Sequence, residues 1–259
     1  MNQRWLFGRD SYRPPDEVIR PSEYDVGQLA DDKTPKAFVE AHHYSRSYPA
    51  ARFRYGFYRL GRLVGVAVFS HPCRNEVLTS VFPGELLESV ELGRLVLLDE
   101  VPGNGESFFI ARCFEALRRE DIRGVLAFSD PVPRWTWGEK GGRLVKPGHV
   151  GTVYQATNGR FLGRGTVRTL RLLPDGRVFS DRAASKIRAG VKGWEYSSRI
   201  LREFGADEPW EDRRAWLSHW RPLLTRSLRH HGNFKYAWGL DRRMQKALPA
   251  AAGPYPKLG

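Results

Sequence analysis

The chain reads as an α+β protein with a central mixed, mostly antiparallel sheet flanked by helices and a basic helical elaboration towards the C-terminus. Three observations predict this. Two β-rich runs, RFRYGFYRL and LVGVAVFS, meet at Gly61-Arg62, a Gly-X pair suited to a tight two-residue turn and so to an antiparallel hairpin. A further strand, VELGRLVLL from Val90 to Leu98, runs through a Pro-Gly-Asn-Gly turn into an amphipathic helix and then into the apolar strand GVLAFSDP. The third is charge: from Arg160 to Lys235 there are 17 Lys and Arg against 8 Asp and Glu, much of it in the helical pattern SDRAASKIRAGVKGWEYSSRILREF.

Taken in order, residues 1–35 are rich in Pro and charge and read as an N-terminal arm. Residues 36–180 read as the α+β core. Residues 181–259 read as the basic helical elaboration and a closing strand, part of the same domain. DKTPKAFVEAHHY predicts a short helix ahead of the hairpin. In the helix from about Glu106 to Arg119, Phe109, Ile110, Cys113, Phe114 and Leu117 form the stripe of a helix packed on a sheet. GHVGTVYQATNGRFLG predicts a short helix between Gly151 and Gly159, with Tyr154 and Asn158 on one face. RTLRLLPDGRVFS predicts a second hairpin around Pro174-Asp175-Gly176, and RHHGNFKYAW the closing strand.

Composition bounds the setting. The 259 residues, 41% of them apolar, suffice for one substantial core, and no stretch approaches the apolar length needed to span a bilayer, so a cytoplasmic protein is expected. Cys73 and Cys113 are the only cysteines and lack metal spacing, so neither a disulfide framework nor a zinc knuckle is expected, and Cys113 should face the core. A net charge of +13 points to a polyanion. Aromatics interleaved with the arginines (Trp194, Tyr196, Trp210, Trp216, Trp220) favour nucleic acid over a membrane surface, because bases stack on such rings. Arg164, Lys186, Arg188 and Lys192 are the expected phosphate contacts.

The turn between strand and helix has three readings: it builds the fold, it holds a nucleotide's phosphates, or it holds the pyrophosphate of coenzyme A. Asn104 or Ser107 can cap the helix, Glu106 suits its first turn, and Gly103 and Gly105 let backbone approach a ligand closely. Arg94, a charge inside an apolar strand, needs a partner: Glu91, Asp99, Asp130 or a substrate anion. FSDP places Asp130 at the C-terminal end of a buried strand, where sheets open to a ligand crevice. It is either a catalytic carboxylate or the start of a turn. His42 and His43 are adjacent and form no metal site alone.

HHYSRSYP, GVAVFS, ELGRLVLLDEVPGNGES, FSDP and GHVGTVYQATNGRFLGRG, in that order from about His42 to Gly165, resemble the Mom family of phage DNA-adenine modification proteins, within the GNAT-like acyltransferases. The resemblance implies a GNAT-like fold and an enzyme that converts adenine in double-stranded DNA to an N6-(methylcarbamoyl)-type base, protecting it from restriction. It implies acetyl-CoA or a related acyl-CoA, held by Leu97, Val101, Asn104, Gly105, Ser107 and Asn158. The expected catalytic residues are Asp130 as base, Tyr154 as proton donor to the leaving thiolate, and Ser107, Arg94, His43 and Tyr44 at the reacting groups; His149 is a further possible base. Iron is also implied, with Asp130 or His149 joining the histidines. The alternatives are a non-catalytic DNA-binding protein and an acetyltransferase acting on a protein or tRNA amine.

Overall fold

The structure, a computed structural model, describes residues 2–6, 9–14, 16–84, 86–139 and 141–257. In chain order the elements are β1 (Asn2–Leu6), β2 (Arg9–Arg13), β3 (Tyr24–Gln28), α1 (Lys33–His42), β4 (Ala51–Arg59), β5 (Arg62–Ser70), α2 (Glu76–Thr79), β6 (Ser89–Leu97), α3 (Gly105–Arg119) and β7 (Gly124–Ser129). There follow β8 (Arg134–Trp135), β9 (Leu144–Lys146), α4 (Thr152–Ala156), β10 (Arg160–Arg164), β11 (Arg168–Leu172), α5 (Asp181–Ala189), α6 (Trp194–Arg202) and α7 (Arg213–Leu224). The chain ends with β12 (Arg226–His230), β13 (Phe234–Gly239) and α8 (Arg242–Ala247).

These elements form two compact units: Met1–Pro131 with Gly148–Gly165 and Asn233–Gly259, and Val132–Pro147 with Thr166–Gly232. The division falls at other points than the three stretches read from the sequence. Val132–Pro147 and residues 166–180 belong to the second unit, and the stretch from Asn233 onward returns to the first.

The first unit is built on a seven-stranded sheet in the order β10-β13-β7-β6-β5-β4-β3. All neighbours are antiparallel except β6 and β7, which are parallel and joined through α3, so the expected mixed, mostly antiparallel sheet with flanking helices is what forms. The stripe of α3 is buried as its spacing predicts, Cys113 included, against Phe57, Phe69, Val90, Leu92 and Val125. On the other face Val39 of α1 packs on Val66, Val68 and Val96, and Leu78, Val81 and Phe82 meet Leu126 and Ala237.

Several local readings are corrected. The β4–β5 turn is made by Leu60 and Gly61, both at positive φ (47° and 80°), the backbone of a type I′ turn, and not by Gly61-Arg62. The N-terminal stretch is no loose arm. β3 is the sheet's edge strand, and Arg4 of β1 is buried, its guanidinium bonded to Glu106 and to the carbonyls of Leu98, Asp99, Val101 and Pro102. The expected closing strand β13 lies inside the sheet, between β10 and β7. Asn158 stands at φ 58° beyond the end of α4, so it shares no helix face with Tyr154.

In the second unit β11 pairs with β12, and the hairpin expected around Pro174 forms only as a short one: the Leu173 amide donates to the Arg177 carbonyl, the Phe179 amide to the Arg171 carbonyl, and Leu172 bridges to Val178. α5, α6 and α7 pack around Ile187, Leu201, Trp216 and Leu217. Asp207 accepts hydrogen bonds from the indole N–H groups of Trp210, Trp216 and Trp220, so three of the basic stretch's tryptophans are tied to one carboxylate.

Candidate active site

The parallel pairing of β6 with β7 runs only from Ser89↔Gly124 to Leu92↔Ala127, although β6 continues to Leu97 and β7 to Ser129. Beyond Leu92 the two strands part. At that point β6 carries a bulge: Phe69 faces Leu92 and Val68 faces Arg94, leaving Gly93 as the extra residue. A Cβ at Gly93 would fall 2.6 Å from Ser70 Oγ and 3.2 Å from Pro49, so the bulge requires glycine. The extra residue resets the alternation of side chains. Glu91 and Arg94, three apart, therefore share the sheet face opposite Val90 and Leu92.

Arg94 is locked in place. Its Nε donates to the Ser47 carbonyl (2.8 Å), Nη2 to Ser47 Oγ (2.7 Å) and Nη1 to the Gly93 carbonyl (2.5 Å). Its electrostatic neighbours are Tyr44, Glu91 and Tyr154, and burial lowers its pKa. Asp99, one of the partners expected for Arg94, instead accepts from Ser11. Burial holds the Glu91 carboxyl above the usual carboxylate range, with the Arg94 charge opposing that shift.

Tyr154 lies on α4 with its ring 5.5 Å from Tyr236 and 5.6 Å from Trp238. Burial raises the pKa of its phenol strongly, so it stays protonated, and its hydroxyl makes no hydrogen bond among the described residues. Gly151, at φ 76°, permits the approach of this helix: a Cβ there would stand 2.8 Å from the Tyr154 ring and 3.1 Å from Ser129 Oγ. Tyr44 OH lies 3.4 Å from His149 Nε2, and the His149 amide donates to the Asp130 carbonyl (3.0 Å), just beyond the end of β7. Tyr44, Arg94, Tyr154, His149 and Asp130 are thus linked around the opening between β6 and β7. Glu91, weighed from the sequence only as a partner for Arg94, belongs to the same cluster. Ser129, the hydroxyl that FSDP sets beside Asp130 at the strand end, is fully buried, and its Oγ has no hydrogen-bond partner among the described residues.

Other expected residues lie elsewhere. His43 turns to Ser45 (Nδ1 to Oγ 2.8 Å) while its ring lies 4.2 Å from that of Tyr44; His42 packs on Phe38. Neither Asn104 nor Ser107 caps α3. Asn104 Oδ1 accepts from the Ile19 amide, and Ser107 Oγ donates to the Asn104 carbonyl. Glu106 is paired with Arg4 instead of serving as a free cap. Gly105 is explained by packing, since a Cβ there would press on Val101 Cγ1 and stand 3.3 Å from Leu97 Cδ2. Leu97 and Val101 are themselves buried, and Asn158 is exposed. Arg164 lies over the Phe234 ring (4.6 Å), and Lys186, Arg188 and Lys192 belong to the second unit. Among the described residues no group of three or more His, Cys, Asp and Glu is placed to hold a metal ion, so the donor set for iron does not assemble. No helix among them is long and apolar enough to cross a membrane.

The family model described as the Mom protein family matches residues 24–257. No curated protein matches the chain. Among solved structures, similar chains include the GNAT family N-acetyltransferase YhbS from Escherichia coli in complex with CoA, at 15% identity over 42% of this chain and 64% of that one, with a TM-score of 0.30. A tandem GNAT protein from the clavulanic acid biosynthesis pathway matches at 12% over 70% and 65%, TM-score 0.37. An N-acetyltransferase from Staphylococcus aureus Mu50 matches at 9% over 84% and 99%, TM-score 0.38. The matched region spans less than two thirds of the first two of these.

Proposed function

The chain belongs to the Mom protein family, and from that premise we propose that it is an acyltransferase-like enzyme that modifies adenine in double-stranded DNA. The product on this reading is an N6-(methylcarbamoyl)-type base that shields the DNA from restriction. The observation that carries the proposal is the half-buried polar cluster where β6 and β7 part, in which the fixed Arg94 guanidinium has Glu91, Tyr44 and the protonated Tyr154 phenol as electrostatic neighbours and the Asp130 backbone is tied to His149.

The chemistry asks for these groups. Adenine's exocyclic amine is a weak nucleophile because its lone pair is delocalised into the ring, so a base must take a proton as the new bond forms. Asp130, at the strand end, is assigned that role, with Glu91 the second carboxylate at hand. Arg94, held by Ser47 and Gly93, presents positive charge without reorganising, which suits the oxyanion of an attacked carbonyl. Tyr154, kept protonated by burial, can donate a proton to a leaving group. Inside a duplex the amine is paired, so the base must be flipped out, and cations of the second unit supply contacts for phosphates.

An acyl-CoA would supply an activated thioester carbonyl, and the β6–α3 turn fits its pyrophosphate in one respect. Four carbonyls of the turn converge on Arg4, and in a trans peptide the following N–H points the opposite way, so the amides of Asp99, Glu100 and Gly103 face away from that cation. The amide of Ser107 has no backbone partner among the described residues, and the Glu106 carboxylate is neutralised by Arg4. Donors of backbone type are therefore present at the start of α3.

Plasmid DNA propagated with the protein, stripped of protein and challenged with restriction enzymes whose sites contain adenine, tests the proposal. Protection that disappears with Asp130→Asn is expected. A protein that only binds DNA leaves no protection after stripping, and an enzyme acting on protein or tRNA amines leaves the DNA fully cleavable.

A further inference from the structure

In the second unit α5 and α6 are joined by four residues, Gly190-Val191-Lys192-Gly193, and both glycines lie in the left-handed region, at φ 61° and 87°. One such glycine ends a helix; two of them bracket a loop whose ends carry no side chains. Cations close over the bare positions. A Cβ at Gly190 would stand 2.5 Å from Arg213 Nη2, and one at Gly193 would stand 3.2 Å from Lys186 Nζ. Arg213 is held there by Trp194, its guanidinium carbon 5.0 Å from the ring centroid. Arg188 and Lys192 beside them are exposed, as is Val191 at 51%.

Three cations of the unit outside this cluster are tied to carboxylates. Arg177 is paired with Asp175 and Glu203, Arg202 with Glu208, and Arg221 with Asp181. Lys186, Arg188, Lys192 and Arg213 have no carboxylate partner among the described residues, and the Arg213 Nε is buried without an acceptor. Four positive charges without a carboxylate partner thus gather at one short loop, two of them lying against its glycines. One turn further along α6, Tyr196 is 68% exposed and offers a ring face.

We propose that the Gly190–Gly193 loop, with Lys186, Arg188, Lys192 and Arg213, clamps the phosphodiester backbone of one DNA strand. This rests on the reading that DNA is the substrate, and it adds where and how the strand is gripped. Repeated phosphates match spaced cations without carboxylate partners, and the two glycines let Arg213 and Lys186 close against the loop, so that the four charges stand together at one place. The grip reads no bases, so binding here is independent of sequence.

The test is equilibrium binding of the full chain to a fluorescently labelled duplex of about 20 base pairs across a salt series. Val191→Asp/Lys192→Asp alters two exposed side chains, changes the charge by three units and leaves the helices intact. It should weaken binding about tenfold or more and flatten the dependence of log K on log salt by about one to two units. Leu223→Asp/Arg226→Asp makes the same charge change at exposed positions. At about 1.5 Å of rise per residue, Leu223 lies about 15 Å along α7 from Arg213, and this variant should weaken binding less than about threefold. The milder Lys192→Ala, which adds no repulsion, should weaken binding about threefold. Equal losses in the two double variants, or a loop variant that binds like the parent, overturn the clamp while DNA binding stands. A parent protein that binds no duplex even in low salt overturns the DNA reading and the clamp together.

Discussion

Replacing Gly105 with alanine separates a turn kept for packing from one kept for a ligand. Gly105 is the first residue of α3 and has no positive φ, so alanine is conformationally acceptable and in a helix is favoured by up to about 1 kcal/mol. Against that, the new methyl would be driven into Val101 Cγ1 and to 3.3 Å from Leu97 Cδ2, and both of those side chains are buried. Overpacking of this kind costs about 1–3 kcal/mol. A net loss of about 1–2 kcal/mol follows, which in a chain of this size lowers the melting temperature by roughly 2–8 °C. Val101→Ala removes the obstructing methyl groups, so Gly105→Ala should cost little in that background, and the two changes should be strongly non-additive. The assay is thermal unfolding of the four proteins of the cycle without any acyl-CoA. Additive effects, or a thermally silent Gly105→Ala in the parent, would refute the packing explanation and return the glycine to the ligand.

Three further outcomes follow from the same geometry. Arg4→Ala strands the buried Glu106 carboxylate and should cost about 3–5 kcal/mol in thermal or denaturant unfolding, whereas Arg4→Ala/Glu106→Gln should recover much of it; equal losses would contradict the pairing. Glu91 has a raised pKa, so the folded state holds its proton more tightly than the unfolded state does. Stability is therefore lost as pH rises from the ordinary glutamate value through the raised one, and Glu91→Gln should raise the melting temperature at neutral pH but not at acid pH. Arg94→Lys keeps the charge but cannot reproduce the fork onto Ser47 and Gly93, so the rate of DNA modification should fall by about tenfold or more with duplex affinity unchanged; a parallel loss of affinity would count against a role at the reacting groups.

What the sequence revealed was what is periodic or local. The β4–β5 hairpin announces itself by two β-rich runs and a glycine, and the α3 stripe by its spacing, so both were placed within a residue or two. The insertion of β13 between β10 and β7 depends on pairing across more than a hundred residues, and nothing local to FKYAWG distinguishes an inner strand from a closing one. The bulge at Gly93 escaped for a related reason. Inside ELGRLVLL a glycine looks like a weak spot in a strand, and only the partner register shows that it brings Glu91 to the same face as Arg94. Asn104, Ser107 and Glu106 had the composition of a helix cap, yet tertiary partners, the Ile19 amide and Arg4, took two of the three. Arg4 itself could not be read as a clamp, because its acceptors are carbonyls about a hundred residues away.

Mass analysis of nucleosides digested from DNA of cells expressing the parent protein and, side by side, Asp130→Asn decides whether the protein modifies adenine. An additional adenine nucleoside is expected with the parent, lowered on the order of 100-fold or more by the substitution, while the variant's melting temperature and duplex affinity hold. Ordinary adenine alone in the parent sample, or an equal yield of modified base from Asp130→Asn, would contradict it.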